Sequence, residues 1–492
     1  MSDSRQRALS AGCVPYRLRA VGLLGLFGLV GLLGGLASAC DRTGTISVTV
    51  VSAPDSDVLE DVVRARLTLT QPPAVIEAER DADGELALVL DVPAEDAQGE
   101  LVLEGFDANG ALIAYGRSGP LPTSGITVDI ALYVATPMSL AETPAPPDTR
   151  RSDMGVATLS YGAFLAGGRA ADGTASAAVE VYSVYQHVFQ ELSPLPAARV
   201  APAVASGVRD LVYLFGGLDA AGAPSASLYG FDIAAAAGGA PFELATADTG
   251  LARAGAAMAA LGQERFAVTG APPVLIEVTQ GRARALPDAP ALAGTATSAV
   301  IDGGVITLFA GAGSGATGAV LLADDRFTEL EPPLADGVNL VWRSNHATTL
   351  LPDGSMLVLG GRIDTAQGPL LPASAVRVHL AEGGSEPELE IVALLATPRE
   401  HAAVAATEAH VVIAGGVDEN GALVGDAEVF DAGTLAAVAV LPMVPPRSRA
   451  TAVPLPNGQI LIVGGVDAAG APVDTAVLFT PDPRGSPAPP AP

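Results

Sequence analysis

Residues 459–470 read QILIVGGVDAAG: an apolar run, two adjacent glycines, an aspartate and a further glycine. Glycine weakens a strand, so Gly464 and Gly465 directly after Ile460–Val463 mark a bend or a close backbone approach. The same grammar recurs as AFLAGGRAADG (163–173), VYLFGGLDAAG (212–222), MLVLGGRIDTAQG (356–368) and VVIAGGVDENG (411–421). Weaker copies, RFAVTGAPP (265–273) and VITLFAGAG (305–313), fill the gap. The last glycine of each copy falls at 168, 217, 270, 311, 361, 416 and 465, giving spacings of 49, 53, 41, 50, 55 and 49 residues. Spacings near fifty residues signal a repeat architecture in which each unit buries its core against its neighbours.

Each repeat has one internal order. A short strand (HATTLL, HAAVAA, RATAVPL) leads through a tight turn such as Asp353-Gly354 or Asn457-Gly458 into the strand that ends in the glycine pair. A polar loop, a third strand (AAVEVYSV, DAEVFDAG, TAVLFTP) and a fourth strand before a Pro/Arg segment (SPLPAAR, ATPR, MVPPR) complete it. Four antiparallel strands repeated seven times predict an all-β, seven-bladed β-propeller. Over residues 152–480 the sequence resembles the kelch family, whose hallmark is a double glycine after the second strand of a blade. The pairs are Gly167/Gly168, Gly216/Gly217, Gly360/Gly361, Gly415/Gly416 and Gly464/Gly465. The family's fourth-strand tryptophan is absent, with Phe189, Phe242 and Phe327 near its place in three repeats.

Composition narrows the function classes. The chain has 492 residues, 49% hydrophobic and 16% charged, which is the balance of a packed globular protein. All 26 basic residues are arginine, and 54 acidic residues give a formal charge of −28. Such a surface repels nucleic acid, so no nucleic-acid partner is expected.

The N-terminus reads as an export signal. Arginines precede an apolar stretch from Ala20 to Leu36, and small residues follow before Cys40. The segment ASAC resembles the lipobox of bacterial lipoproteins, with Ala37 where that family prefers leucine. The resemblance implies a signal peptide over 1–39, lipidation of Cys40, and a membrane-anchored protein of the cell envelope, facing the periplasm or the cell surface. An uncleaved membrane helix is the competing reading. Cys13 and Cys40 are the only cysteines, so the exported chain would hold no internal disulfide.

Between the signal and the repeats, residues 40–134 alternate as short strands around turns such as Asn109-Gly110, which predicts a small, immunoglobulin-like β-sandwich. The turn DADGE (81–85) is expected to be a plain hairpin turn, not a calcium loop. Residues 135–151 form a Pro-rich linker and 481–492 a disordered Pro-rich tail. The last repeat has no fourth strand of its own. A stretch within 131–142 is therefore expected to supply it, with Ile130–Val134 shared between sandwich and propeller.

Two sets of residues are candidates for a ligand face. Arg151, Arg199, Arg253, Arg343, Arg399 and Arg447 each lie just before a first strand. They are read either as structural groups bridging neighbouring blades or as a basic ring at one channel mouth, and the structural reading has the greater weight. Asp219, Asp364, Asp418 and Asp467 sit in the long loops after the glycine pairs, in a repeated D-x-x-G pattern that favours turn formation. His346 and His401 are read as equivalent first-strand positions of consecutive repeats, where packing outweighs a shared metal. No cofactor or metal is expected. The comparison with galactose oxidase, whose propeller has similar motifs, fails because its cross-linked cysteine has no counterpart after Cys40. The reading is a monomeric envelope binding module for protein or glycan. The alternative is a carbohydrate-active enzyme resembling the kelch-type sialic-acid mutarotases.

Overall fold

The computed structural model describes residues 16–17, 43–44, 46–80, 92–93, 98–122, 128–233, 241–246, 249–270, 272–286, 296–301, 304–309, 320–323, 326–329, 334–335, 338–339, 343–379 and 388–484. The apolar stretch Ala20–Leu36, Cys40, the turn at 81–85 and the tail beyond residue 484 lie outside this set. The chain divides into two compact units: Met1–Thr136 with Tyr185–His187, and Pro137–Val184 with Val188–Pro492. Both are built of strands, and the helices among the described residues are three single turns of 3-10 helix.

In the first unit, four antiparallel strands lie in the order Ala74–Glu79, Arg64–Leu69, Leu101–Phe106, Leu112–Arg117. Alternation decides which face is buried. Ala65, Leu67 and Leu69 point into a core with Leu101, Leu103 and Leu132, while Arg66 and Glu104 pair at 2.8 Å on the other face. Ile46–Val51 pairs in parallel with Val128–Tyr133 and antiparallel with Tyr16–Arg17. The strand Ala74–Glu79 carries a weak β signal in sequence, since its outward positions hold only Val75, Glu77 and Glu79.

The second unit is a succession of four-stranded antiparallel sheets. The first runs Gly155–Leu159, Gly162–Ala166, Val179–Ser183, Val188–Glu191. The next two span Ala203–Thr246 and Met258–Ala285 in the same order. Two-stranded ladders follow, Ala296–Ile301 with Gly304–Phe309 and Val320–Ala323 with Arg326–Glu329. After them comes a sheet from Ser344 to Ala393, extended by a small hairpin of Ile363–Thr365 with Gly368–Leu370, and then one from Ala403 to Pro442. The last combines Ser448–Pro454, Ile460–Val466 and Val477–Thr480 with the distant Ser139–Glu142. First strands lie side by side from each sheet to the next, and Gly155–Leu159 lies beside both Ala203–Ser206 and Ser448–Pro454.

The closing strand thus comes from inside the 131–142 window, pairing Leu140 with Phe479 and Glu142 with Val477. The sharing of Ile130–Val134 is corrected. Ile130–Tyr133 lies in the parallel ladder with Ile46–Val51, entirely within the first unit. Pro137 separates the two strands, because a residue without an N–H cannot carry one ladder into the next.

Gly464 and Gly465 adopt φ of 69° and 87°, a region that side chains rarely enter. A Cβ on Gly464 would stand 3.1 Å from the Arg151 carbonyl oxygen, and one on Gly465 2.7 Å from that of Ser448. The first glycine of every other pair meets the carbonyl of the arginine that opens the following repeat: Gly167 meets Arg199, Gly216 Arg253, Gly360 Arg399 and Gly415 Arg447. Because Gly464 makes this approach to Arg151, the last repeat packs on the first as each packs on the next.

Candidate functional site

The arginine series resolves into structure. Arg151, Arg343, Arg399 and Arg447 are fully buried, Arg199 is buried and Arg253 half-buried. Arg399 is the most completely bonded. Its Nε donates to Thr397 O at 3.0 Å, Nη1 to Gly415 O and Asp426 O, and Nη2 to Asp426 Oδ1 at 2.8 Å and Glu428 Oε1 at 2.5 Å. Arg151 reaches Gly167 O, Ala178 O and Glu180 in the same way. Arg447 reaches Gly464 O, Thr475 O and Thr475 Oγ1, and Arg343 reaches Gly360 O. Arg253 donates to Thr269 O and Pro272 O, so the contact survives where Thr269 replaces the first glycine. Glu180 and Glu428 also take two backbone N–H groups each, from Asp148 and Thr149 and from Ala396 and Thr397.

These guanidinium groups satisfy carbonyls of their own repeat. Bridging between repeats runs through the main chain, where Gly168, Gly217, Gly361 and Gly416 donate N–H to the carbonyls of Arg199, Arg253, Arg399 and Arg447. Burial lowers Arg343 to about 9 and Arg447 to about 10, still charged at neutral pH. The arginines thus side with the structural reading over a basic ring facing a ligand, but they bond within a repeat instead of bridging neighbours: Arg151, Arg343, Arg399 and Arg447 lie buried against carbonyls or carboxylates of their own sheets.

Two residues beyond each arginine, the chain makes a second recurring feature. Asp153, Ala201, Gly255, Asn345, His401 and Arg449 all have positive φ, between 49° and 65°. Their backbones link repeat to repeat: Ala201 N donates to Asp153 O, Gly255 N to Ala201 O, His401 N to Asn345 O and Arg449 N to His401 O. Each stands at the entrance to a first strand, so these bonds form a rim along one end of the side-by-side first strands. The backbone is constant there and the side chains are not.

On the side where Asn345, His401, Arg449 and Asp153 meet, the rim is polar. Asn345 Nδ2 donates to Glu400 Oε2 at 2.6 Å, and His401 Nε2 lies 4.0 Å from the same carboxylate. Arg362 approaches Glu400 at 3.8 Å and Asp364 at 3.4 Å, and Arg169 lies 3.9 Å from Asp153. Burial and then the Arg449 charge hold the His401 imidazole below its ordinary value, opposed by Glu400 and assisted by Arg362. At neutral pH the ring is therefore neutral and offers one donor and one acceptor. The Arg449 guanidinium is exposed and makes no ion pair or side-chain hydrogen bond among the described residues. Carboxamide, imidazole, carboxylate and guanidinium side by side suit a ligand rich in hydroxyl or amide groups.

The pairing of His346 with His401 is corrected. His346 sits opposite Gly360 in its ladder, which aligns it with Ala402; the counterpart of His401 is Asn345. One residue of offset turns a side chain to the opposite face. His346 is accordingly buried, and burial lowers it to about 4. His410 opens the second strand of its sheet and is buried edge-on against Phe479. His379 pairs with Glu390 at 3.1 Å. Among the described residues no group of three His, Cys, Asp or Glu side chains stands ready for a metal.

Asp219, Asp418 and Asp467 form turns: each Oδ1 accepts the N–H groups two and four residues on. Asp364 departs from the pattern. Gly368 is four residues away instead of three, the loop becomes a hairpin, and Asp364 turns to Arg362. Asp153, Asn345, Glu400 and Arg449 share no residue type that sequence spacing could single out. A faint signal existed in the Asp, Gly and Asn that fill rim positions, residues that tolerate positive φ.

No protein-family model matches the chain, and no curated protein matches it. Among solved structures, one titled "Structure of YjhT" aligns with 68% of this chain and 95% of its own, at 12% identity and a TM-score of 0.43. The all-β class rests on the strand order above. Among the described residues no helix is long and apolar enough to cross a membrane.

Proposed function

We propose that the chain is a lipid-anchored protein of the bacterial cell envelope whose seven-bladed, kelch-type propeller binds protein or glycan at the rim carrying Asn345, Glu400, His401 and Arg449. In this reading Cys40 is the lipidated mature N-terminus, residues 40–134 form a small β-sandwich, and 152–480 with the 139–142 strand form the propeller. The lipobox-like segment supports the anchor; the side-by-side first strands and the Gly464–Arg151 approach support a closed ring of seven. The observation that carries the binding role is the rim cluster itself. It gathers partly exposed polar groups of several types on a constant backbone, the arrangement in which a rigid scaffold presents variable recognition residues.

The test is a glycan array with envelope extracts in parallel, comparing the wild type with Asn345→Ala and His401→Ala. Loss of a specific ligand in both variants, with melting temperature retained, supports the rim. Binding untouched by either variant moves the site elsewhere, and turnover of a bound sugar would make the protein an enzyme. For the anchor, Cys40→Ser should release the protein into the soluble fraction. Retention in the membrane with unchanged mass would mean an uncleaved helix.

A further inference from the structure

The outer strand of the sheet spanning Ala403–Pro442 differs from the other outer strands. Ala437–Pro442 ends its sheet, pairing on one side with Asp426–Asp431 and, among the described residues, with no strand on the other. The outer strands Val188–Glu191, Pro241–Thr246, Arg282–Ala285, Glu388–Ala393 and Ser139–Glu142 all contain a charged residue. Ala437–Pro442 contains none, and the whole stretch 432–446 is uncharged. Within it Val438, Val440 and Val444 are 47%, 62% and 70% exposed. Edge strands ordinarily carry charge because an open apolar edge is a template for another strand.

We propose that this edge pairs with the same edge of a second copy of the chain, forming a two-fold symmetric dimer across Ala437–Leu441. Two features single out the second copy as the occupant. The chain carries −28, so two copies repel wherever average surface meets average surface; the Ala437–Pro442 strand itself carries no charge to oppose the approach. The segment is also self-complementary. Antiparallel pairing about Ala439 sets Val438 of each copy opposite Val440 of the other, an isologous contact that closes on itself. Pro442 and the register shift opposite Phe430 bound the ladder, so the dimer is weak and forms with rising concentration. It replaces the monomer expected from sequence, and it is independent of the rim.

Sedimentation velocity of the full chain in detergent, across a concentration series, should show a dimer that Val440→Glu removes. Register is tested with Ala439→Cys in a Cys13→Ser, Cys40→Ser background. In the symmetric ladder the two 439 positions face each other within disulfide reach, so mild oxidation should yield a covalent dimer. Val75→Cys, more exposed than position 439 and on an edge strand that carries glutamates, should not. A monomer at every concentration, a dimer that survives Val440→Glu, or equal cross-linking at 75 and 439 would overturn the proposal.

Discussion

Replacing Arg399 by methionine separates a structural arginine from a ligand-binding one. The substitution keeps most of the side-chain volume and removes all five hydrogen bonds. It strands Glu428, whose side chain is 4% exposed, with two backbone N–H groups and no cation. Breaking a buried ion pair from one side destabilises by about 3–5 kcal/mol, because the remaining charge stays out of water. Over a unit of roughly 350 residues that corresponds to a melting temperature about 4–7 °C lower. Adding Glu428→Gln should return part of the loss, since no unpaired charge then remains. Arg449→Met, on the rim two residues beyond Arg447, is the control: with an exposed side chain and no ion pair among the described residues, it should change stability by no more than about 0.5 kcal/mol. Calorimetry of the three variants decides the matter. An Arg399→Met protein that melts like the wild type would refute the account of the whole series.

The glycine pairs, the buried histidine, the closing strand and the loop aspartates give further tests. Gly465→Val, at φ 87° and facing two backbone groups, should destabilise by several times the ~1 kcal/mol expected of Gly470→Ala, at φ 78° in open space, when both are followed by chemical unfolding. His346 is held neutral, its value lowered from 6.5 to about 4, so its contribution is present above 6.5 and is lost as pH falls through that window. His346→Gln should flatten the decline in stability between pH 6.5 and 4, by up to about 3 kcal/mol. Ala141→Pro should weaken the ladder with Val477–Thr480 and lower the melting temperature of the second unit, while an unchanged value would mean that this strand closes nothing. Asp418→Ala should leave ligand binding intact and slightly lower stability at neutral pH. Backbone N–H groups hold Asp418 below the ordinary carboxylate value, so its effect should vanish as pH falls through its folded pKa.

Read alone, the sequence determined what repeats: the double glycines, the arginine ahead of each first strand, the turn aspartates, and the need for a strand borrowed from upstream. These are legible because a repeated backbone geometry demands the same residue each time. Positive φ beside a neighbour's carbonyl admits only glycine at Gly464 and Gly465, and a cluster of carbonyls calls for a planar donor at Arg399. The rim was not legible for the converse reason. Asp153, Ala201, Gly255, Asn345, His401 and Arg449 share a backbone conformation that several residue types accept, so their side chains follow no pattern along the chain. Nor could spacing tell His346 from the rim, since one residue of register sends it into the core and leaves Asn345 on the rim. Only the tertiary structure brings Asn345, Glu400, His401 and Arg449 together, across a hundred residues of sequence, because neighbouring first strands meet side by side.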